Sequence, residues 1–296
     1  MLFLCNQKYY TMLFLLLSIF CSVSVGIIFK ISRKFDITIS QVIKWNYTFA
    51  LLLCYLFFEP DLNAVNSTAP WGVYTSLMLL LPSVFILLAV SIKHIGIVKI
   101  DAAQRLSLII PILAAWFIFM EDFNVLKLAG LAVGIPAIVM ILIKKDKSDS
   151  KNWLYPTLVL LGFGVIDVLF KQIALYKDLP YTTSLFVVFC GALITAIGII
   201  AYEILFMGKK LGLINLAFGA LVGIFNFGNI LFYLKAHQAF AENPSTVFAA
   251  MNMGVIVLGS LAGILIFKEK LSKLNYFGLF FALIAIAFIT LSQIYK

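Results

Sequence analysis

Apolar residues in this chain run in blocks rather than alternating. Each block is about 20 residues long, the length an α-helix needs to cross the ~30 Å hydrocarbon core of a bilayer. A membrane β-barrel would show shorter, alternating segments instead. The blocks predict ten spans, at residues 11–29, 40–58, 71–91, 98–120, 125–143, 153–175, 182–206, 212–233, 244–267 and 273–292. The connections between them are short, and none could hold a soluble domain. The first block follows Lys8 and resembles a secretion signal in outline. It has no clear small-x-small cleavage site and its counterpart is internal, so it is read as a span.

The pattern also repeats. Residues 118–130 read I-F-M-E-D-F-N-V-L-K-L-A-G, and residues 266–278 read I-F-K-E-K-L-S-K-L-N-Y-F-G. Both contain Phe-x-Glu-x4-Leu-x3-Gly, at an offset of 148 that carries Glu121 onto Glu269 and Gly130 onto Gly278. The whole stretch 100–143 slides over 248–291 without a gap. Apolar matches are cheap in such a chain; the matched polar frame is not. A membrane chain whose second half echoes its first is the usual trace of a duplicated transporter fold.

Composition agrees. The chain has 296 residues, 63% hydrophobic and 12% charged, with a mean hydropathy of +1.08, which no ordinary soluble domain shows. Its net charge of +9 has no soluble basic face to sit on, so nucleic acid is excluded as a partner. The charge is distributed by loop. Fourteen Lys and Arg follow odd-numbered spans: Lys30, Arg33, Lys34, Lys93, Lys99, Lys144, Lys145, Lys147, Lys151, Lys209, Lys210, Lys268, Lys270 and Lys273. Six lie at the termini or in even-numbered loops: Lys8, Lys127, Lys171, Lys177, Lys235 and Lys296. The positive-inside rule then places both termini outside the cytoplasm. With five spans per half, two equivalent halves must cross in opposite directions, and a binding site is expected between them near the midplane. The four cysteines have no metal-ligand or disulfide spacing.

On the two helix–Glu–loop–helix copies, Pro111 through Gly130 and Gly259 through Gly278, the chain resembles the drug/metabolite transporter superfamily, in its ten-helix EamA-like branch. The resemblance covers about residues 11–292. Asp122 departs from it, standing where a basic residue is usual. The fold expected is an all-α integral membrane protein, ten transmembrane helices as two inverted five-helix repeats. The first repeat is residues 11–143, a basic cytoplasmic linker is 144–152, and the second repeat is 153–292. The resemblance implies small-molecule transport by alternating access, often export, and marks fold more than ligand.

Ionisable and amide groups inside spans are the candidate site, since an unpaired charge in hydrocarbon costs at least ~2.5–3.5 kcal/mol. Arg105 lies inside the fourth span beside Gln104, with Asp101 one helical turn earlier and Pro111 following. It would bind a carboxylate or phosphate in a planar, bidentate way, or pair with Asp101 and hold helices together. The offset places Gln104 on Asn252 and Arg105 on Met253, predicting one shared, asymmetric cavity. Asp167 lies deep in the sixth span. It would accept a proton, bind a substrate amino group, or neutralise Lys171 four residues on. Lys44, with Gln41 and Thr48 on one face of the second span, is a further binding candidate. So are Asn226 and Asn229, which recur with Tyr233 at helical spacing. Gly219-x3-Gly223 and Gly259-x3-Gly263 would let helices approach closely. Glu121, Gly130, Glu269 and Gly278 are read as structural, and His94 and His237 belong to no metal-binding cluster.

These readings predict a secondary transporter of an amino acid or small organic anion in the cell (inner) membrane. It would not be an enzyme, and it would need no cofactor or metal. Its partners are a small-molecule substrate and the lipid bilayer, with a homo-oligomer left open. A sugar or nucleotide-sugar carrier is the alternative within the fold. An integral membrane enzyme or a non-transporting scaffold is the alternative in kind.

Overall fold

The computed structural model describes residues 2–32, 34–95, 103–142, 154–268 and 272–292. Asp101, Glu269 and the linker 144–152 lie outside the described residues. Helices run α1 Leu2–Ser32, α2 Ile39–Phe58, α3 Trp71–Ile95, α4 Ile109–Phe117, α5 Val125–Leu142, α6 Leu154–Leu175, α7 Tyr181–Met207, α8 Leu213–Ala239, α9 Pro244–Phe267 and α10 Lys273–Leu291. No strand occurs among the described residues. Stretches of six helices (α1, α3, α6, α7, α8 and α9) are long and apolar enough to cross a membrane. Three shorter apolar helices are Ala103–Phe117, Val125–Met140 and Lys273–Ile289. The exterior carries large apolar side chains along whole helices, such as Ile194, Leu161, Leu221 and Ile224, while polar groups such as Asn46, Asn226 and Lys171 are buried. That distribution suits a protein whose surroundings are lipid.

Proline breaks the fourth helical segment. Residues 103–106 form one helical turn, Ser107 and Leu108 turn out of it, and α4 resumes at Ile109. Pro111 lacks the N–H that would bond the Ser107 carbonyl, and its ring crowds that carbonyl. The Ser107 oxygen accepts from Ile110 N–H at 3.0 Å instead.

The two repeat copies share a backbone feature. Met120 and Lys268, 148 residues apart, both have left-handed backbones, with φ of 49° and 53°. Each directly precedes the Glu of its copy, at the end of a helix that must turn sharply into the next.

Two pairs of helices, α5 with α10 and α2 with α7, pack on each other and run antiparallel. Asn124, before α5, donates from Nδ2 to the Ser292 carbonyl just past α10 (3.0 Å), and Asn275, in the first turn of α10, donates to the Met140 carbonyl near the end of α5 (3.2 Å). In the α2–α7 pair, Ser40 at the start of α2 donates to Glu203 near the end of α7. Cys54 near the end of α2 lies 3.6 Å from the Thr182 carbonyl at the start of α7.

Small residues decide how close helices come. A Cβ on Gly223 would sit 2.7 Å from the Asn46 carbonyl oxygen, and one on Gly219 would strike Trp45, so α8 lies backbone to backbone on α2. A Cβ on Gly130 would meet Ile289 at 2.7 Å, which seats α5 on α10. Gly259 meets no neighbour, so the expected close approach at Gly259 does not form.

The deepest anchor is Glu121. Its carboxylate is fully buried and pairs with the buried Lys127 ammonium. It also accepts from the Ser245 backbone N–H (2.8 Å) and hydroxyl (2.6 Å) at the start of α9. A carboxylate at a helix N-terminus satisfies orphan N–H groups and meets the positive end of the dipole. Lys127 also donates to Asn243, which precedes α9. Lys127 is therefore not a loop cation as the sequence suggested, and neither is the buried Lys171.

Removing one partner of a buried ion pair costs about 3–5 kcal/mol, because the other charge is left uncompensated. Glu121→Ala is expected to lower unfolding stability in detergent by about that amount, with Glu121→Ala/Lys127→Met recovering part of it. Gly223→Val is expected to lower the Tm or abolish folding, whereas Gly259→Ala is expected to leave it unchanged or raised, since a helical Gly is about 0.5–1 kcal/mol less favourable than Ala. Thermal unfolding of the purified variants checks all four.

Candidate functional site

A cavity of about 460 Å³ lies among α1, α2, α3, α6, α8, α9 and the turn at 103–106. Gln104, Arg105, Asp167, Asn226, Asn229 and Asn252 all line it. Six of the seven substrate-binding candidates, scattered over nearly 150 residues, therefore converge on one space. Lys44 is the exception. It lines a separate groove on the other side of α2, with Gln41 and Trp45.

The cavity is asymmetric along the helices. At one end it is lined by Ser32, Ile37 and Ile39 around the α1–α2 connection, and by Gln104 and Arg105. At the other end it stops at Phe170 and Tyr233, before the ends of α6 and α8, and at Met251 in the first half of α9. Beyond that floor the interior is filled. Lys171 is fully buried one position past Phe170. Its ammonium donates to the carbonyls of His237 (3.3 Å) and Ala241 (3.0 Å), at the C-terminal end of α8. A cation there complements the negative end of the helix dipole and occupies carbonyls that no later turn uses. The Glu121–Lys127–Ser245 cluster closes the same end, at the start of α9.

Asp167, Asn226, Asn229 and Asn252 are each held by a hydrogen-bond partner. Tyr233 donates its hydroxyl to Asp167 Oδ1 at 3.0 Å, across the α6–α8 interface. Asp167 and Lys171 thus have separate partners, and of the three roles open to Asp167 the pairing with Lys171 does not form. Asn226 Nδ2 donates to Asn46 Oδ1 at 3.1 Å. The Ser18 hydroxyl lies 2.9 Å from Asn229 Oδ1 and 3.0 Å from the Asn229 carbonyl. Asn252 Nδ2 donates to the Phe248 carbonyl one turn back, and so ties to its own helix rather than to another. Arg105 is half-buried on the wall. Its proposed partner Asp101 lies outside the described residues. Phe29, Phe85, Phe163 and Phe170 supply aromatic wall between the polar groups.

The space therefore offers a guanidinium, a carboxylate, four amides and aromatic faces. Such a set can orient a ligand with two opposite charges and an apolar body. It resembles ordinary ligand sites in size, in apolar walls and in having few convergent polar groups. Among the described residues no cluster of His, Cys, Asp or Glu could hold a metal ion.

Sequence reasoning missed two features of the site's surroundings. Ser18 and Asn46, which position the asparagines, look like ordinary small polar residues in apolar helices. His237 is fully buried between Tyr233 and Phe248, with ring centroids 4.6 and 4.7 Å away, and makes no hydrogen bond through either ring nitrogen. The i, i+4 spacing from Tyr233 to His237 was the available signal for it, had α8 been extended past residue 233.

No family model matches the chain. A protein of known crystal structure is similar in fold, with a TM-score of 0.71 at 17% identity, covering 95% of this chain and 98% of that one. An uncharacterized protein of Haemophilus influenzae is 40% identical over 285 residues, which is 92% of this chain and 95% of that protein. At that identity and coverage, the chain belongs to the same family as the Haemophilus influenzae protein.

Proposed function

We propose that this chain is a secondary transporter of the EamA-like type, moving a small amino acid or organic anion across the cell (inner) membrane by alternating access. The observation that carries the reading is the meeting of Arg105 and Asp167 on the wall of one cavity of about 460 Å³. Charges inside a membrane protein are retained for a reason, and substrate pathways are a leading one. The form of the cavity fits as well. Its lining extends to the α1–α2 connection at one end, while Lys171, Glu121 and Lys127 are buried beyond the other.

Ten spans in two inverted repeats suit the packing. The equivalent pairs α2–α7 and α5–α10 touch and run antiparallel, as inverted halves require. The left-handed Met120 and Lys268 fall at the same place in each half. Orientation follows from the loop cations. With Lys127 and Lys171 buried, four of the six on the sparse side remain to count against fourteen. Both termini are then non-cytoplasmic, and the cavity opens toward the cytoplasm. A nucleotide-sugar carrier would need several cations for its phosphates, and Arg105 is the sole cation among the described lining residues.

In proteoliposomes, the wild-type protein is expected to exchange a labelled substrate unchanged, found by screening amino acids and organic anions for thermal stabilisation. Arg105→Gln is expected to fold with a near-normal Tm and lose transport at least tenfold, and Arg105→Lys to recover only part, because an ammonium cannot copy the planar fork. Normal transport by Arg105→Gln rejects the substrate role. A chemically altered substrate would point to an enzyme, and no flux for any stabilising ligand to a scaffold.

Asp167→Asn keeps an acceptor for Tyr233 but removes the charge. It is expected to insert and fold normally while weakening transport of amino-bearing substrates more than that of simple anions. A reporter fused after Lys296 is expected to read non-cytoplasmic, and a cytoplasmic reading would reverse the orientation.

A further inference from the structure

Lys44 stands apart from the cavity, and its surroundings are unusual. It lies five residues beyond the start of α2, about 7–8 Å along the helix axis. Its ammonium folds back over the ring of Trp45, 3.2 Å from the ring centroid. Among the described residues no carboxylate forms an ion pair with it. Cations at this depth usually find an anion or reach water. Lys44 is partly exposed in the groove and finds no anion among the described residues, and its ring contact supplies only part of what a counter-ion would.

The groove around Lys44 is built, not incidental. It holds about 410 Å³ between α2, α7 and the start of α8. Ile197, Ile200, Ala201 and Ile204 of α7 form one wall, and Leu211, Leu213 and Leu216 the other. Leu211 and Leu213 are largely exposed, so this is the outer surface of the bundle. The loop 208–212 at its rim is pinned by the buried Gln41. Gln41 Nε2 donates to the Lys210 carbonyl at 2.7 Å, and Gln41 Oε1 accepts from Gly212 N–H at 3.0 Å and Asn215 Nδ2 at 2.8 Å. Asn215 in turn accepts from Thr38 N–H at 2.9 Å. This network fixes a loop carrying Lys209 and Lys210 beside Lys44. The nearby Glu203 is already engaged, by Ser40 and by Lys209 at 2.8 Å. The groove therefore presents an apolar channel facing outward, an unmatched cation at its floor and a basic rim.

We propose that this groove binds one anionic phospholipid from the leaflet on the basic face, its phosphate held by Lys44 and its acyl chain laid along Ile197, Ile200 and Ile204. A lipid phosphate supplies the counter-ion that Lys44 lacks, and the apolar walls accept what a soluble anion does not carry. Trp45 stands at the depth where aromatic side chains meet headgroups. The inference rests on the helices lying in a membrane and is independent of transport.

The test uses the purified full chain in neutral detergent. Phosphatidylglycerol, phosphatidylcholine and inorganic phosphate are titrated separately, with Tm and native mass spectrometry as readouts. Phosphatidylglycerol is expected to raise the Tm and to remain bound as a single molecule, while phosphatidylcholine and inorganic phosphate do not. Lys44→Gln is expected to weaken phosphatidylglycerol binding at least tenfold, and Lys44→Arg to retain it. Ala201 is exposed on the groove wall, so Ala201→Trp should fill the groove without disturbing the core, and is expected to abolish binding with Lys44 intact. If Lys44→Gln does not fold, Ala201→Trp decides. Equal responses to the two lipids overturn the proposal, as does binding unaffected by both variants. Inorganic phosphate reproducing the shift would make this a soluble-anion site. A dimer that Ala201→Trp dissociates, with no lipid response, would assign the groove to a second copy of the chain.

Discussion

The bundle depends on one buried carboxylate. Glu121 follows α4, yet its oxygens are spent on Lys127 at the start of α5 and on Ser245 at the start of α9. Three helices are thereby fixed at one end of the molecule by a group that could not be buried alone. The position of α9 sets where Met251 and Asn252 meet the cavity, and the turn before α4 sets where Gln104 and Arg105 do. Lys171 closes the neighbouring helix end by capping the carbonyls of α8. One end of the bundle is thus held by charges and directed hydrogen bonds. Around the cavity the contacts are aromatic and amide.

That difference has a physical basis. Apolar contacts between helices in lipid gain little from the hydrophobic effect, because lipid is as apolar as the side chains. Charged contacts are directional and all-or-none. The filled end of this bundle rests on a few such contacts, Glu121 with Lys127 and Ser245, and Lys171 with the end of α8. At the cavity floor Phe170 directly precedes Lys171 and Tyr233 lies one helical turn before His237, so the floor and the charged end are adjacent.

The two copies of the sequence repeat differ at the site. Gln104 and Asn252 occupy matching positions, and both line the cavity. Their neighbours do not match in role. Arg105 faces the cavity, whereas Met253 is fully buried against the space left by Gly134. The single cation, Arg105, stands beside Gln104 and has no counterpart beside Asn252, which makes the space asymmetric.

The sequence by itself determined the helices and the repeat offset, because each follows from local chemistry: apolar length and a matched polar frame. It also singled out Gln104, Arg105, Asp167, Asn226, Asn229, Asn252 and Lys44 as candidates, since polar groups in apolar helices tend to turn inward where lipid surrounds the outside. Tertiary structure decided what inward means. These helices are apolar on nearly every face, so periodicity could not tell which side of α2 meets the cavity, and Lys44 proved to lie on the other side. Nor could it tell that Lys127 and Lys171 are buried, for a lysine near a helix end reads as a loop cation until a carboxylate or a row of carbonyls from another helix is brought against it. Those partners, Glu121 and the end of α8, are set by packing between distant segments, and only the folded chain places them.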